Sequence, residues 1–192
     1  MGAEFELKYA ATPEEQAAVL EDMGGFTPIA METTYYDTPA GALSARRITL
    51  RRRLENGVSV CTVKTPPVDG ARGEWETECE DIKDAVPVLC KLGCSVDLTR
   101  LTEDGLVAIC GARFTRMAKT VDSGTCSVEI AVDRGVLFGG GREEALCEVE
   151  VELKSGSRKE AEAYAAALAE KYGLVPEEKS KFRRALALAR GE

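Results

Sequence analysis

Two segments of this chain place a carboxylate at every second residue, one near each end. Residues 4–8 read Glu-Phe-Glu-Leu-Lys and residues 148–154 read Glu-Val-Glu-Val-Glu-Leu-Lys. Successive residues of a β-strand point to opposite faces, so Glu4 and Glu6 would share a face roughly 6–7 Å apart. Two carboxylates that close repel each other unless a cation or a proton lies between them. A hard divalent cation such as Mg²⁺ suits that position, although an exposed strand face with solvated charges explains residues 4–8 better when they are taken alone.

Basic side chains follow the same alternation between the two acidic segments. Arg51 and Arg53 would share one face of a strand over residues 50–54, and Thr62 and Lys64 would share one face of the next. Residues 72–78 alternate again, with one arginine and three glutamates on the same face. Five strands with this pattern require a common explanation, because exposed surface charges would not repeat so regularly.

Composition excludes several classes of function. The net charge of −8 argues against nonspecific binding to nucleic acid or to an anionic membrane. The chain has no histidine, which excludes Ser-His-Asp and Cys-His catalysis and any histidine-ligated metal. The seven cysteines show no CxxC spacing, so we expect neither a disulfide framework nor a zinc site. Chemistry must therefore come from carboxylates, lysine, arginine, tyrosine or a metal held by oxygen.

The chain is organised as one domain in this interpretation. Its 192 residues suit one domain of ordinary size or two small ones, and we find no internal repeat and no long linker, so we expect a single domain over residues 1–192. No apolar run approaches the length of a membrane span. The acidic, alternating N-terminus does not resemble a signal peptide, so we expect a cytoplasmic protein.

Capping residues and periodicity predict the elements that position these side chains. The predicted helices cover about 13–23, 81–92, 98–110, 157–172 and 178–190. The predicted strands cover about 4–8, 33–37, 46–55, 58–65, 73–80, 114–121, 125–132 and 148–154. Turns or loops are expected at 56–57, 66–70, 122–124, 133–135 and 139–141. This order, with several hairpins, favours an antiparallel α+β fold over alternating βαβ units.

The function depends on whether the sheet is open or closed. On an open sheet the charged face would meet solvent and matter little energetically. In a closed barrel the same residues would point into the lumen, where charges are costly without water, metal or ligand. Such a lumen would bind something highly charged, since arginine and lysine suit phosphate oxygens and carboxylates suit a bridging metal.

The ordered set of segments resembles the CYTH domain family, also called triphosphate tunnel metalloenzymes. The residues that carry the resemblance are Glu4-x-Glu6-x-Lys8, Tyr35-Tyr36-Asp37-Thr38, Leu50-Arg51-Arg52-Arg53, Thr62-Val63-Lys64, Arg72-Gly73-Glu74-Trp75-Glu76, the segment 148–156 and Ser180-Lys181. The resemblance covers nearly the whole chain. It implies an antiparallel closed β-barrel of about eight strands that forms a tunnel, with helices packed outside.

The resemblance also implies a role for each charged residue. Catalysis would involve Glu4, Glu6 and Lys8. The ligands of one or two Mg²⁺ or Mn²⁺ ions would be Glu4, Glu6, Glu148, Glu150 and Glu152. The last three share one face of a strand, so their spacing does not show which of them bind the metal. The phosphates would be bound by Lys8, Arg51, Arg53, Lys64, Arg72, Arg116 and Lys181. Glu74, Glu76 and Glu129 would line the tunnel and orient the arginines, whereas Arg52 has the opposite parity and is expected outside.

The activity implied is metal-dependent hydrolysis of inorganic triphosphate to pyrophosphate and phosphate, as in the bacterial inorganic triphosphatase branch. Four alternatives remain open at this point: a class IV adenylate cyclase, a thiamine triphosphatase, another nucleoside or organic triphosphatase, and a polyphosphate-binding module without catalysis. The expected partner is a small triphosphate, not a nucleic acid or a membrane. The oligomeric state is open, and a homodimer is one of the options.

Overall fold

The computed structural model describes residues 5–68 and 71–192, without the side chains of residues 67, 68, 71 and 72. Within these residues, antiparallel strands form a nine-stranded sheet. The strands are β1 (Glu6–Ala10), β2 (Thr27–Asp37), β3 (Thr49–Glu55), β4 (Val58–Val68), β5 (Ala71–Glu78), β6 (Val107–Asp122), β7 (Cys126–Gly139), β8 (Arg142–Gly156) and β9 (Val175–Pro176). The predicted antiparallel α+β class is confirmed.

The strand order is β5-β4-β3-β2-β6-β7-β8-β1-β9, which leaves β5 and β9 at the two ends. No pairing between these end strands is found in the described part of the chain, so the pairings do not establish the closed barrel that the sequence predicts. The sheet nevertheless curves strongly, because side chains from β3 and β4 line the same cavity as side chains from β8 and β1.

Five helices accompany the sheet in the described ranges: α1 (Pro13–Met23), α2 (Ile82–Lys91), α3 (Leu98–Leu101), α4 (Arg158–Tyr172) and α5 (Lys181–Arg190), with a 3₁₀ turn at Ser44–Arg46. A capping box begins α1. The Thr12 hydroxyl accepts from the Glu15 backbone N–H at 3.2 Å, and the Glu15 carboxylate accepts from the Thr12 N–H at 2.7 Å. Ser157 caps α4 through a single contact, in which its hydroxyl accepts from the Glu160 backbone N–H at 3.4 Å.

The helix predicted over residues 98–110 is wrong. Only Leu98–Leu101 is helical, and β6 begins at Val107. Gly105 has φ +93°, which a right-handed helix does not allow, so the chain turns there and enters the sheet.

The turn predicted over residues 133–135 is also wrong, since β7 continues through it to Gly139. Gly135 serves a close approach between strands and not a turn. A Cβ at this position would lie 2.1 Å from the carbonyl oxygen of Arg113 and 2.5 Å from the Cα of Phe114. The reversal instead lies at Gly140 and Gly141, whose φ values of +58° and +75° suit a two-residue hairpin.

β2, β4, β6 and β8 are also longer than predicted. β2 begins at Thr27, six residues before the predicted start, and pairs with β6 over its full length. β4 continues past the prolines of the predicted loop to Val68, with a register shift between Lys64 and Pro67. Proline has no N–H to donate to a strand ladder. It is tolerated at such an irregularity because the ladder is already interrupted there.

The apolar faces of the strands are buried against the helices. α1 and α4 pack on β1, β7 and β8 through a cluster that includes Val19, Ile130 and Val151. α2 packs on β3 and β4 through Leu89, which belongs to the same buried cluster as Leu50 and Val63. Because side chains alternate along a strand, this packing leaves the charged residues of each strand on the opposite face.

The last helix covers one end of the sheet's concave face. α5 contacts β6, β7 and β8. The ring of Phe182, on α5, lies against the ring of Tyr35, with 4.9 Å between the two ring centroids. Tyr35 is buried and also lines the cavity on the concave face. Among the described residues, no helix is both long and apolar enough to span a bilayer.

Replacing Leu89 with alanine tests the packing that holds the β3–β4 wall. Leu89 is 0% exposed, and loss of a buried leucine costs about 2–5 kcal/mol of unfolding free energy. Leu92, three residues later and 52% exposed, is the matched control; Leu92→Ala should change stability by less than about 0.5 kcal/mol. Urea unfolding measures both, and equal effects would contradict the packing described here.

Candidate functional site

The concave face of the sheet contains a cavity of about 130 Å³, well above the roughly 10–15 Å³ that one water molecule needs. Its charged lining consists of six cationic and three acidic side chains among the described residues: Lys8, Arg51, Arg53, Lys64, Arg116, Lys181, Glu6, Glu150 and Glu152. Each of these nine was a site residue in the sequence analysis, so the fold brings together residues up to 175 positions apart.

Strand register explains how they meet. In the β1–β8 pair, Lys8 lies opposite Glu150 and Glu6 lies opposite Glu152. In the β2–β3 pair, Arg51 lies opposite Tyr35. Residues directly opposite in a ladder point to the same face, and the alternation therefore delivers all of these side chains to the concave side.

One side of the cavity is basic. We call Arg51, Arg53 and Lys64 the basic wall; they belong to β3 and β4. The Nε atoms of Arg51 and Arg53 are buried and have no hydrogen-bond partner within residues 5–68 and 71–192. A buried donor without a partner is costly, so water or a ligand with acceptor oxygens is needed to complete this wall.

The basic wall stays charged in this setting. Burial lowers the pKa of Arg53, and repulsion from Arg51 lowers it further, against the attraction of Glu55, with which Arg53 pairs. Arginine has so high an intrinsic pKa that it remains protonated in proteins. Lys64 forms an ion pair with Glu74 at 2.8 Å.

The other side holds three buried carboxylates that we call the acidic cluster: Asp133, Glu148 and Glu150. One oxygen of each lies within 4.8 Å of the others. Asp133 and Glu148 are fully buried, and Glu150 is 8% exposed. Hard divalent cations such as Mg²⁺ and Mn²⁺ bind oxygen donors of this kind, so the donor set fits the metal that the sequence analysis expects.

Cationic side chains contact this cluster directly. Lys181 Nζ lies 2.9 Å from Asp133 Oδ2, 2.5 Å from Glu148 Oε2 and 2.7 Å from Glu150 Oε1. Arg116 donates to both oxygens of Asp133, at 2.8 and 2.7 Å, and also to Glu150. Lys181 and Arg116 were predicted to contact phosphate, but here both are held by carboxylates.

Ion pairing decides the protonation states of Glu150 and Lys181. Burial alone would raise the pKa of Glu150, but Lys181 and Arg116 outweigh it and lower the pKa to about 2. Burial lowers the pKa of Lys181, and the three carboxylates outweigh that effect and raise it above its ordinary value. Both groups are therefore ionised at neutral pH.

The remaining predicted residues lie around these two sets. Glu148 is buried behind the cavity lining, and Glu152 pairs with Lys154 at 2.9 Å. Glu129 lies opposite Glu152 in β7 and 3.5 Å from Lys154. Glu76 lies on β5 opposite Thr62. Arg52 is held outside the cavity by Ser59 at 2.9 Å and Glu80 at 3.4 Å, as its parity predicts.

Two predicted residues cannot be placed. Glu4 lies outside the described residues, and Arg72 is within β5 but its side chain is outside the described part. Their assigned roles stay predictions.

Sequence reasoning missed Asp133 and Arg184. Asp133 was assigned to a turn because Asp-Arg-Gly is typical of one, yet its parity with Glu129 in the alternating run of β7 places it on the charged face. Arg184, which lies on α5, donates to Glu148 Oε1 over a distance of 2.6 Å. One turn of helix separates it from Lys181, and this i, i+3 spacing was the available signal.

A family model of the CYTH domain matches residues 2–186. The chain belongs to the CYTH family. An inorganic triphosphatase from Haemophilus influenzae is 29% identical over 161 residues, which are 80% of this chain and 46% of that protein. The chain thus spans about half the length of this curated relative.

Solved structures show that the fold is shared. The Hippeastrum protein HpAC1, for which a dominant triphosphatase activity is described, has a TM-score of 0.63 at 18% identity over 98% of this chain and 96% of its own. PH1819 from Pyrococcus horikoshii has a TM-score of 0.62 at 21% identity, covering 95% and 98% of the two chains. The CYTH fold is therefore common to all three.

Asp133→Asn tests the acidic cluster. Removing one charge from a buried pair costs about 3–5 kcal/mol of unfolding free energy, because Arg116 is left without its main partner. The matched control is Glu143→Gln, which breaks the exposed Arg113–Glu143 pair at 3.2 Å and should cost about 0–1 kcal/mol. Urea unfolding compares the two variants, and similar losses would contradict a buried role for Asp133.

The lowered pKa of Glu150 predicts a pH dependence. An unfolded glutamate titrates near about 4.3, whereas Glu150 titrates at about 2 in the folded protein. Its contribution to stability is therefore complete above about pH 4.3 and is lost as pH falls through 2. In metal-free buffer, the unfolding free energy of Glu150→Gln should fall less steeply than wild type between pH 4.3 and 2, and parallel curves would count against this pKa.

Proposed function

We propose that this protein hydrolyses inorganic triphosphate to pyrophosphate and orthophosphate, with Mg²⁺ or Mn²⁺ as cofactor. The observation that carries the proposal is a cavity whose charged lining, among the described residues, is two-thirds cationic and in which the buried Nε donors of Arg51 and Arg53 have no partner among those residues. This excess of positive charge suits a compact polyanion, and a linear triphosphate presents acceptor oxygens along its whole length.

The basic wall binds and orients the anion. Arginine presents a planar fork of donors that matches phosphate oxygens, and Lys8 and Lys64 add point charges on either side. Inside a cavity shielded from bulk water these attractions are stronger than on an open surface. The same side chains stabilise the negative charge that spreads over the equatorial oxygens of the transferred phosphoryl group.

The divalent cation would be held by the carboxylates that line the cavity, Glu6, Glu150 and Glu152, of which Glu6 lies opposite Glu152 on the paired strands β1 and β8. The bound metal supplies Lewis acidity toward phosphate oxygens and a lowered pKa for a bound water. The chain itself contributes the oxygen donors. Lys8, directly opposite Glu150, is placed to contact the anion where the acidic and basic sides meet.

The similarity to the Haemophilus influenzae inorganic triphosphatase supports the choice of substrate. Adenylate cyclase, thiamine triphosphatase, other organic triphosphatase and non-catalytic polyphosphate binding are the other outcomes of the test below.

A product assay on purified protein tests the proposal. Tripolyphosphate, ATP and thiamine triphosphate are each supplied with Mg²⁺ or Mn²⁺, and orthophosphate, pyrophosphate and cyclic AMP are quantified. We expect equal amounts of orthophosphate and pyrophosphate from tripolyphosphate, at a higher kcat/KM than from the organic substrates. Cyclic AMP as the main product, or binding of tripolyphosphate without release of phosphate, would overturn the proposal.

Arg53→Ala should weaken substrate binding. Loss of a charge-assisted hydrogen bond costs about 1.5–3 kcal/mol, which corresponds to a rise in KM of roughly 10–150-fold with a smaller change in kcat. Arg52→Ala removes the neighbouring arginine, whose side chain points to Ser59 and Glu80 on the other face. Steady-state phosphate release separates the two, and the assignment of the basic wall fails if Arg52→Ala raises KM as much as Arg53→Ala.

A further inference from the structure

Gln16 is a polar side chain buried on the outer face of the sheet. It lies on α1 and is 1% exposed, and α1 packs on the sheet through the apolar cluster that includes Val19. Glutamine is mostly an exposed residue, because its amide group needs hydrogen-bond partners once water is removed. A glutamine between a helix and a sheet is therefore expected to bind a specific group in that sheet.

The amide of Gln16 joins two neighbouring strands. Its Nε2 donates to the backbone carbonyl of Asp133 in β7 at 2.8 Å and to the backbone carbonyl of Glu148 in β8 at 3.1 Å. Asp133 and Glu148 lie directly opposite each other in the ladder. One side chain thus holds the two strands together at the residues that carry two of the three carboxylates of the acidic cluster.

The sheet changes width at this position. Ala10 is the last residue of β1 and lies opposite Glu148, and the described pairing of β1 with β8 ends there. The chain then leaves the sheet and enters α1. A strand that loses a neighbour keeps backbone groups without a ladder partner on that side. Gln16 therefore contacts β7 and β8 where the support from β1 ends.

The side chains of the two joined residues hold cationic groups of the cavity. On the concave side, Lys181 contacts the carboxylates of Asp133 and Glu148, and Arg116 donates to both oxygens of Asp133. Lys181 and Arg116 both line the cavity. A change at Gln16 is thus transmitted to the cavity through the backbone of β7 and β8, from the opposite face of the sheet.

Anchoring of α1 does not by itself explain a glutamine at this position. The helix begins with a capping box and is packed through Val19, which is 0% exposed. The Oε1 atom of Gln16 is buried and has no hydrogen-bond partner within residues 5–68 and 71–192. An apolar side chain of the same length would avoid the cost of that unpaired atom. What it would not supply is the NH₂ group on the two carbonyls.

We propose that Gln16 is a positioning residue for anion binding. By holding β7 to β8, it keeps Asp133 and Glu148, and through them Arg116 and Lys181, in the geometry that receives the anion. The identity of the anion rests on the proposed function. Groups that are already in place bind more tightly, because they need not be ordered on binding. Loss of the Gln16 amide therefore weakens anion binding although Gln16 lies on the other face of the sheet.

The test compares two α1 variants by calorimetry, using Mg²⁺ and a non-hydrolysable imido analogue of tripolyphosphate as the ligand. Gln16→Met keeps the length of the side chain and removes the NH₂ donor. Val19→Ala is the matched control, because it removes buried apolar contacts from the same helix and leaves the Gln16 amide in place. Urea unfolding of each variant measures stability beside affinity.

Gln16→Met should lower the affinity for the analogue roughly 2–12-fold, the range that corresponds to one neutral hydrogen bond. Its unfolding midpoint should stay close to wild type, since the unpaired Oε1 is removed together with the donor. Val19→Ala should lower the midpoint and leave the affinity of the folded protein unchanged. Wild-type affinity in Gln16→Met, or the same loss of affinity in Val19→Ala, overturns the proposal.

Hydrogen exchange tests the same role without a ligand. In Gln16→Met the backbone amides of residues 131–135 and 146–150 should exchange faster than in wild type, whereas those of residues 58–65 should be unchanged. Unchanged exchange in both β7 and β8 segments overturns the proposal. If the wild-type protein does not bind the analogue, the proposed function is refuted, and the exchange rates still decide whether Gln16 holds the two strands together.

Discussion

Buried charge must be compensated at close range, and this requirement shapes the centre of the molecule. Asp133, Glu148 and Glu150 are almost completely removed from solvent, and each oxygen contacts a cationic side chain from β6 or α5. An unpaired carboxylate there would cost several kcal/mol. The position of α5, the register of β6 against β7 and the burial of the cluster therefore depend on one another.

The two sides of the cavity differ in whether their charged groups have hydrogen-bond and ion-pair partners. The acidic cluster is fully paired, whereas the basic wall contains buried arginine donors with no partner in the described residues. Since an unmet donor favours an acceptor from outside, the asymmetry points to an anion as the ligand that completes the site.

Enclosure gives these charges their importance. Ion pairs on an open sheet contribute little, because water screens them. Here the sheet curves until the strands near its two ends line one cavity, while helices cover its outer face through apolar clusters. The outer packing thus determines the shape of the concave side, on which the charged side chains lie.

Alternation of charged and apolar residues determined much of this in advance. A period of two assigns each side chain to a face, so Lys8, Arg51, Arg53 and Glu150 could be predicted to share one, and their order identified the family. Asp133 was missed because the local Asp-Arg-Gly pattern favours a turn, and only contact between strands shows that Gly135 is needed for close approach.

The ion-pair partner of each charged side chain could not be predicted from the local sequence pattern. Lys181 was expected on phosphate, but its ammonium lies among three carboxylates from two strands, since α5 returns to the sheet and brings it there. The face of the sheet to which a side chain points is a property of its own strand and can be predicted from the sequence. Pairing, curvature and enclosure depend on distances between segments far apart in sequence, and those exist only in the folded molecule.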